Sequence, residues 1–305
     1  MRGKHTVHRR PSRGVQGERR HDISSLIHNG AQRASTSNRP LRAVFVLAFA
    51  ALFAVGGLAA TPAPTESAGK KVVIVVGPTH SQTSSYIDRA KRLAAQARSY
   101  GAAVYEVYSP NATWAKVKSV AQGANVLIYL GHGNGHPSPY GAFNQYTKDG
   151  MGLNATAGNG HNNTKYYGEY YLRNYIRLAK HAVVILNHLC YASGNSEPGY
   201  ANPTKTVAKQ RVDNYAFGFL RTGARAVFAE GLSSSSYVLY GLFKTDRTMT
   251  QIFWSASSAT RSYSFGFTSV RTPWYTALMD PYAPGKYYRS VVGALSFTAK
   301  TWRIG

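Results

Sequence analysis

From residue 70 onward the chain alternates between two hydrophobic periods. Residues 70–77 (KKVVIVVG), 103–109 (AVYEVYS), 125–131 (NVLIYLG), 182–187 (AVVILN) and 225–231 (RAVFAEG) are short apolar runs, the pattern of strands covered on both faces. Between them, residues 84–102, 114–122, 166–180 and 212–224 carry helical spacing, the first closing at Gly101 and the last at Gly223. The order strand, helix, strand, helix, strand predicts a parallel sheet with right-handed crossovers. The fold class expected is therefore α/β, a three-layer α/β/α sandwich with a mostly parallel sheet. Residues 134–164, rich in Gly, Asn, Pro and His, read as a long loop or a small hairpin. Residues 235–257 read as a helix with a break, and 290–303 as a last strand or hairpin. No internal repeat is present.

The pattern changes before residue 70. Residues 43–60 (AVFVLAFAALFAVGGLAA) are uncharged, follow Arg39 and Arg42, and lead into a Pro/Ala/Thr-rich stretch. That is a targeting segment, either a cleaved signal peptide or a retained signal anchor, with the positive side in the cytoplasm. The expected organisation is a disordered basic leader over 1–42, the signal or anchor over 43–60, a linker over 61–69 and one domain over 70–305. That domain is expected outside the cytoplasm, secreted or membrane-anchored.

An exported chain with one cysteine, Cys190, has no internal disulfide to form. The thiol stands three residues past the apolar run 182–187, where a turn of small residues would expose it. The run 125–131 has the same form and leads into His132 and Gly133. In open α/β sheets ligands sit beyond the carboxyl ends of the strands. If the two strands are neighbours, a nucleophile and a base share one rim, and the imidazole lowers the thiol pKa from about 8.5.

A hydrophobic block ending in His132-Gly133, followed by a second ending in Cys190 and a small-residue turn, resembles the caspase-like cysteine peptidases, the superfamily of caspases, metacaspases, gingipain-type and CHAT-domain enzymes. The resemblance covers roughly residues 71–231. It implies a caspase-like domain that hydrolyses peptide bonds, with Cys190 as nucleophile, His132 as general base and acid, and the backbone N–H groups of Gly133 and Cys190 as oxyanion donors. It implies a peptide or protein substrate and no cofactor. Two positions depart from the family pattern: His188 and Leu189 stand where a small residue or an acid is common, and Tyr191-Ala192-Ser193-Gly194 is one residue longer than Cys-x-Ser-Gly. Glu197 and Glu230, near the fourth and fifth strand ends, are candidates for attracting a basic P1 side chain. The alternative is a catalytically inactive member of the same fold, a binding module for cell-envelope polymer or protein.

Other motifs carry less. His132 and His136, or His188 and Cys190, offer metal-ligand atoms, yet a turn does not give the shared face a helix would, so no metal is expected. Ser233 to Ser236 lack a nucleophile elbow and read as caps and turns. The glycines of GHGNG lack the lysine of a phosphate loop. Asn111, Asn154 and Asn162 head glycosylation triplets, and the tyrosines of 166–175 read as core packing with a sugar-stacking surface as the alternative. The formal charge of +24 includes ten Lys/Arg against Glu18 and Asp22 in the first 42 residues. Such a surface favours an anionic envelope polymer or, through residues 43–60, a membrane. The basic residues after 70 are scattered, so no specific nucleic-acid recognition is expected.

Overall fold

A computed structural model describes residues 69–305. The strands are β1 (Lys71–Val76), β2 (Ala103–Tyr108), β3 (Val126–Leu130), β4 (Met151–Asn154), β5 (Thr164–Tyr167), β6 (Val183–Asn187), β7 (Ala226–Glu230), β8 (Phe265–Thr268), β9 (Thr276–Met279) and β10 (Arg289–Gly293). The helices are α1 (Thr83–Ser99), α2 (Trp114–Ala121), α3 (Glu169–Tyr175), α4 (Lys205–Leu220), α5 (Ser236–Lys244), α6 (Met249–Phe253) and α7 (Ala299–Ile304).

Eight strands form one sheet in the order β2-β1-β3-β6-β7-β10-β9-β8. The first five are parallel, and β10, β9 and β8 add antiparallel pairings at one side. The domain is thus a three-layer α/β/α sandwich with a mostly parallel sheet. Alternation along each strand builds the two layers. Val73, Val75, Leu127, Tyr129, Val184 and Leu186 pack with α2, α3 and α4, while Val72, Ile74, Ile128, Ile185 and Phe228 pack with α1, α5, α6 and α7. β3, β6 and β7 are buried at every position, as their unbroken apolar runs require. β2 is one edge strand, and Tyr105 there is exposed.

Several elements differ from expectation. Residues 166–180 are split: Thr164–Tyr167 form β5, paired with β4, and the helix begins only at Glu169. Gly168 forces the break, because a side chain there would lie 2.5 Å from the Gln145 and Lys148 carbonyls. α4 begins at Lys205, capped by the Thr204 hydroxyl, seven residues before the expected start. β8, β9 and the terminal helix α7 carry no strong sequence period. The break in 235–257 falls between α5 and α6, where Thr248 and Gln251 form a capping box. Among the described residues no helix is long and apolar enough to cross a membrane. The leader, the segment 43–60 and the linker up to residue 68 lie outside the described residues.

Candidate active site

β3 and β6 are neighbours, with Leu130 opposite Asn187. His132 and Cys190 therefore leave the same end of the sheet two and three residues past paired positions. Both line one cavity of about 670 Å³, together with His80, Gly133, Asn134, Lys148, Tyr166 and Glu197. Cys190 also faces a second cavity of about 550 Å³, bounded by Tyr86, Arg89, His188, Asn195 and Tyr288. The thiol stands on the ridge between them, with Glu197 and Pro198 lining both.

Backbone contact sets the spacing of the two loops. A Cβ on Gly133 would fall 2.0 Å from the Cys190 carbonyl oxygen and 3.0 Å from its nitrogen, so only glycine fits. Among the described residues neither the Gly133 N–H nor the Cys190 N–H donates to a protein acceptor. The Tyr129 hydroxyl, fully buried, lies 3.0 Å from the His132 carbonyl and 2.9 Å from the Gly152 carbonyl, and accepts the Gly152 N–H at 2.8 Å. It ties the His132 turn to β4. The turn through Cys190 is tight: His188 and Tyr191 have φ of 57° and 69°, a region costly for side-chain-bearing residues. Bonds from the His188 N–H to the Glu230 carbonyl at 2.7 Å and from the Ala192 N–H to the Cys190 carbonyl at 2.9 Å hold it.

The electrostatics differ from the expected activated thiolate. Burial, followed by the charge of Glu197, pushes the Cys190 thiol up to about 12. Burial, with the His80 ring beside it, lowers the His132 pKa, while Glu197 opposes that shift. The two rings stand edge-on at 5.3 Å. His132 Nε2 is buried without a partner, and among the described residues no acid orients the ring. At neutral pH the pair rests as thiol and neutral imidazole. The thiol is half-buried against the core rather than openly exposed.

Glu197 is half-buried at the cavity wall, where it accepts the Tyr140 hydroxyl at 2.8 Å, and it is the sole acid lining either cavity. Glu230 is elsewhere. It is 1% exposed, bonded to the Arg289 guanidinium at 3.1 Å and to Tyr237, and lines neither cavity, so it is not available to a substrate side chain. His136 and His188 do not join the dyad. Among the described residues no three His, Cys, Asp or Glu gather as a metal site. Asn154 is fully buried and bonded to the Ala112 N–H, so its glycosylation triplet is not accessible. Ser235 takes the N-cap position of α5 without a side-chain cap bond.

Sequence reasoning missed His80, which stands at the carboxyl end of β1 and faces His132. Applying the same strand-end argument to residues 72–80 would have found it. Lys148 and Asp149 gave no signal. Lys148 is buried with its ammonium bonded to Asn134 Oδ1 at 2.9 Å, and Asp149 Oδ1 accepts the His136 N–H at 3.0 Å. Together they hold the loop that follows His132.

The arrangement has the parts of nucleophilic acyl transfer: a thiol, a neutral imidazole in the same cavity and two undonated N–H groups. No family model, curated protein or solved structure matches the chain.

Proposed function

We propose that the domain is a caspase-like cysteine peptidase, exported or membrane-anchored, that cleaves peptide bonds through Cys190 and His132. One observation carries this reading: His132 and Cys190 project from adjacent parallel strands into one cavity, with Gly133 seated on the Cys190 backbone. Because the pair rests neutral, the thiol proton passes to His132 as sulfur attacks the peptide carbonyl. The oxyanion is held by the Gly133 and Cys190 N–H groups. On collapse the C–N bond breaks, the leaving amine takes the proton from His132, and water then hydrolyses the thioester with His132 again as base. The uncharged segment 43–60 behind a basic leader supports the extracytoplasmic location.

The test is labelling of the full-length chain by peptidyl acyloxymethyl ketones with varied P1 residues. Labelling lost in Cys190→Ala and slowed at least tenfold in His132→Ala supports the reading. A label that persists at the same rate without His132 overturns it.

A second reading has its own observation. Trp114, Tyr146, Tyr167, Tyr170, Tyr171 and Tyr175 form a connected aromatic surface, Trp114 stacking on Tyr167 at 5.0 Å and Tyr146 meeting Tyr170 at 4.8 Å. Lys118, Lys165 and Arg173 lie over rings at 5.6 to 5.9 Å. That surface fits a catalytically inactive binding module for an anionic envelope polymer, whose binding would survive Cys190→Ala.

A further inference from the structure

One face of α1 carries Arg89, Arg92, Leu93 and Gln96, spaced so that all turn toward the same neighbour. That face closes a cavity of about 250 Å³ with Asn187, His188, Ser234 and Ser236. The volume equals the share of about eight waters. No acid lines it, and among the described residues neither Arg89 nor Arg92 takes part in an ion pair.

Two nitrogens on residues of this wall are buried without a partner: Arg89 Nε and His188 Nε2. Buried polar atoms in folded proteins are nearly always satisfied, so each orphan, the Arg89 Nε–H donor and the His188 Nε2 acceptor, marks a place where a partner belongs. The opposite ring nitrogen, His188 Nδ1, lies 3.1 Å from the Gly231 carbonyl and is committed as a donor there. Burial, with the Arg89 charge nearby, lowers the His188 pKa against the opposing Gly231 bond, so Nε2 of the neutral ring carries a lone pair and accepts. The side chains of Gln96 and Asn187 are committed to protein acceptors, Gln96 to the Ser236 carbonyl at 3.0 Å and the Tyr100 hydroxyl at 3.2 Å, and Asn187 to the Ser233 carbonyl at 2.8 Å, which fixes the walls and leaves the guanidinium groups uncommitted.

We propose that this cavity is a binding site for a phosphate group, held by the Arg89 and Arg92 guanidinium groups, with His188 Nε2 placed to accept a hydrogen bond from a protonated phosphate oxygen. Two guanidinium groups without acids are matched to a tetrahedral oxyanion, which they grip in bidentate fashion. The site is separate from the Cys190 thiol but shares a wall with it, since Arg89 and His188 also line the cavity on one side of Cys190. The assignment stands whether or not the chain is a peptidase.

The experiment is isothermal titration of the full-length chain with inorganic phosphate, glycerol 1-phosphate and acetate at fixed pH and ionic strength. Saturable one-site binding of phosphate or its monoester, weakened at least tenfold in Arg92→Gln, supports the site. Arg92 is exposed, so that variant retains the fold, and a matching melting temperature without ligand verifies it. The monoester binding tighter identifies an esterified ligand, and inorganic phosphate binding tighter identifies the free ion. Non-saturable heat, equal affinity for acetate, or an unchanged affinity in both Arg92→Gln and Arg89→Gln would each overturn it, since diffuse attraction to a chain of charge +24 gives the same signals.

Discussion

At the scale of single residues, the decisive feature is the unfavourable environment of the Cys190 thiolate. Burial and Glu197 both oppose ionisation, so alkylation of Cys190 by iodoacetamide should show a midpoint above the free-thiol value of about 8.5. Glu197 acts with one sign on both partners: its negative charge raises the thiol pKa and supports a protonated His132. Glu197→Gln should therefore lower both, and alkylation at pH 9 should accelerate. An unchanged or slower rate would show that burial alone sets the thiol. Gly133→Ala tests the backbone contact. A methyl group 2.0 Å from the Cys190 carbonyl must push the two loops apart. On the proposed mechanism, probe labelling of Cys190 should then fall by about 100-fold or more as the two N–H groups proposed as oxyanion donors separate. The accompanying loss of stability should be about 1–3 kcal/mol, measured by urea unfolding.

Among elements, the joint between the loop after β3 and the β4–β5 hairpin depends on one carboxyl. Asp149 is fully buried; its N–H donates to the Asn134 carbonyl at 3.0 Å, Oδ1 accepts from His136, and Oδ2 has no partner. Burial raises its pKa to about 8. A carboxyl raised in the folded state stabilises fully below its unfolded value of about 4 and loses that contribution as pH rises through about 8. Asp149→Asn keeps the acceptor, replaces the unpartnered oxygen by a neutral amide and suits a residue with φ of 60°. The variant should be more stable than the parent by about 1–3 kcal/mol at pH 8 and nearly equal at pH 4. Melting curves at the two pH values measure this, and a pH-independent difference would contradict the assignment. Elements of this kind are where the sequence is hardest to read. β1, β3, β6 and β7 were legible because strands buried on both faces must be apolar throughout, and His132 and Cys190 were legible because they follow such strands. The edge strand β8 and its neighbour β9 alternate with too few buried positions to stand out. β5 was hidden because Tyr166 and Tyr167 continue the tyrosine spacing of α3, and only the crowding around Gly168 separates them. Glu230 looked like a rim residue because it ends β7, yet Arg289, 59 residues away in β10, draws it inward.

At the scale of the whole molecule, charge and aromatic surface act together. A net charge of +24 should retain the chain on an anionic polysaccharide matrix at low salt. Retention should weaken steeply as the screening length shortens from about 30 Å at 0.01 M salt to about 8 Å at 0.15 M. Lys118→Gln with Lys165→Gln should elute earlier than the parent, and Cys190→Ala should not; identical elution of all three would remove any role for the aromatic surface. The half-buried setting of Cys190 also bears on the medium such a chain would meet outside the cytoplasm. The thiolate, not the thiol, attacks peroxides and disulfides, and a thiol with a midpoint of about 12 offers on the order of one thiolate in 10⁵ at pH 7. A Cys190 thiol kept protonated is thereby spared conversion to sulfenic acid or a mixed disulfide, whatever its role. The environment that slows its reaction with small electrophiles gives it durability in an oxidising medium.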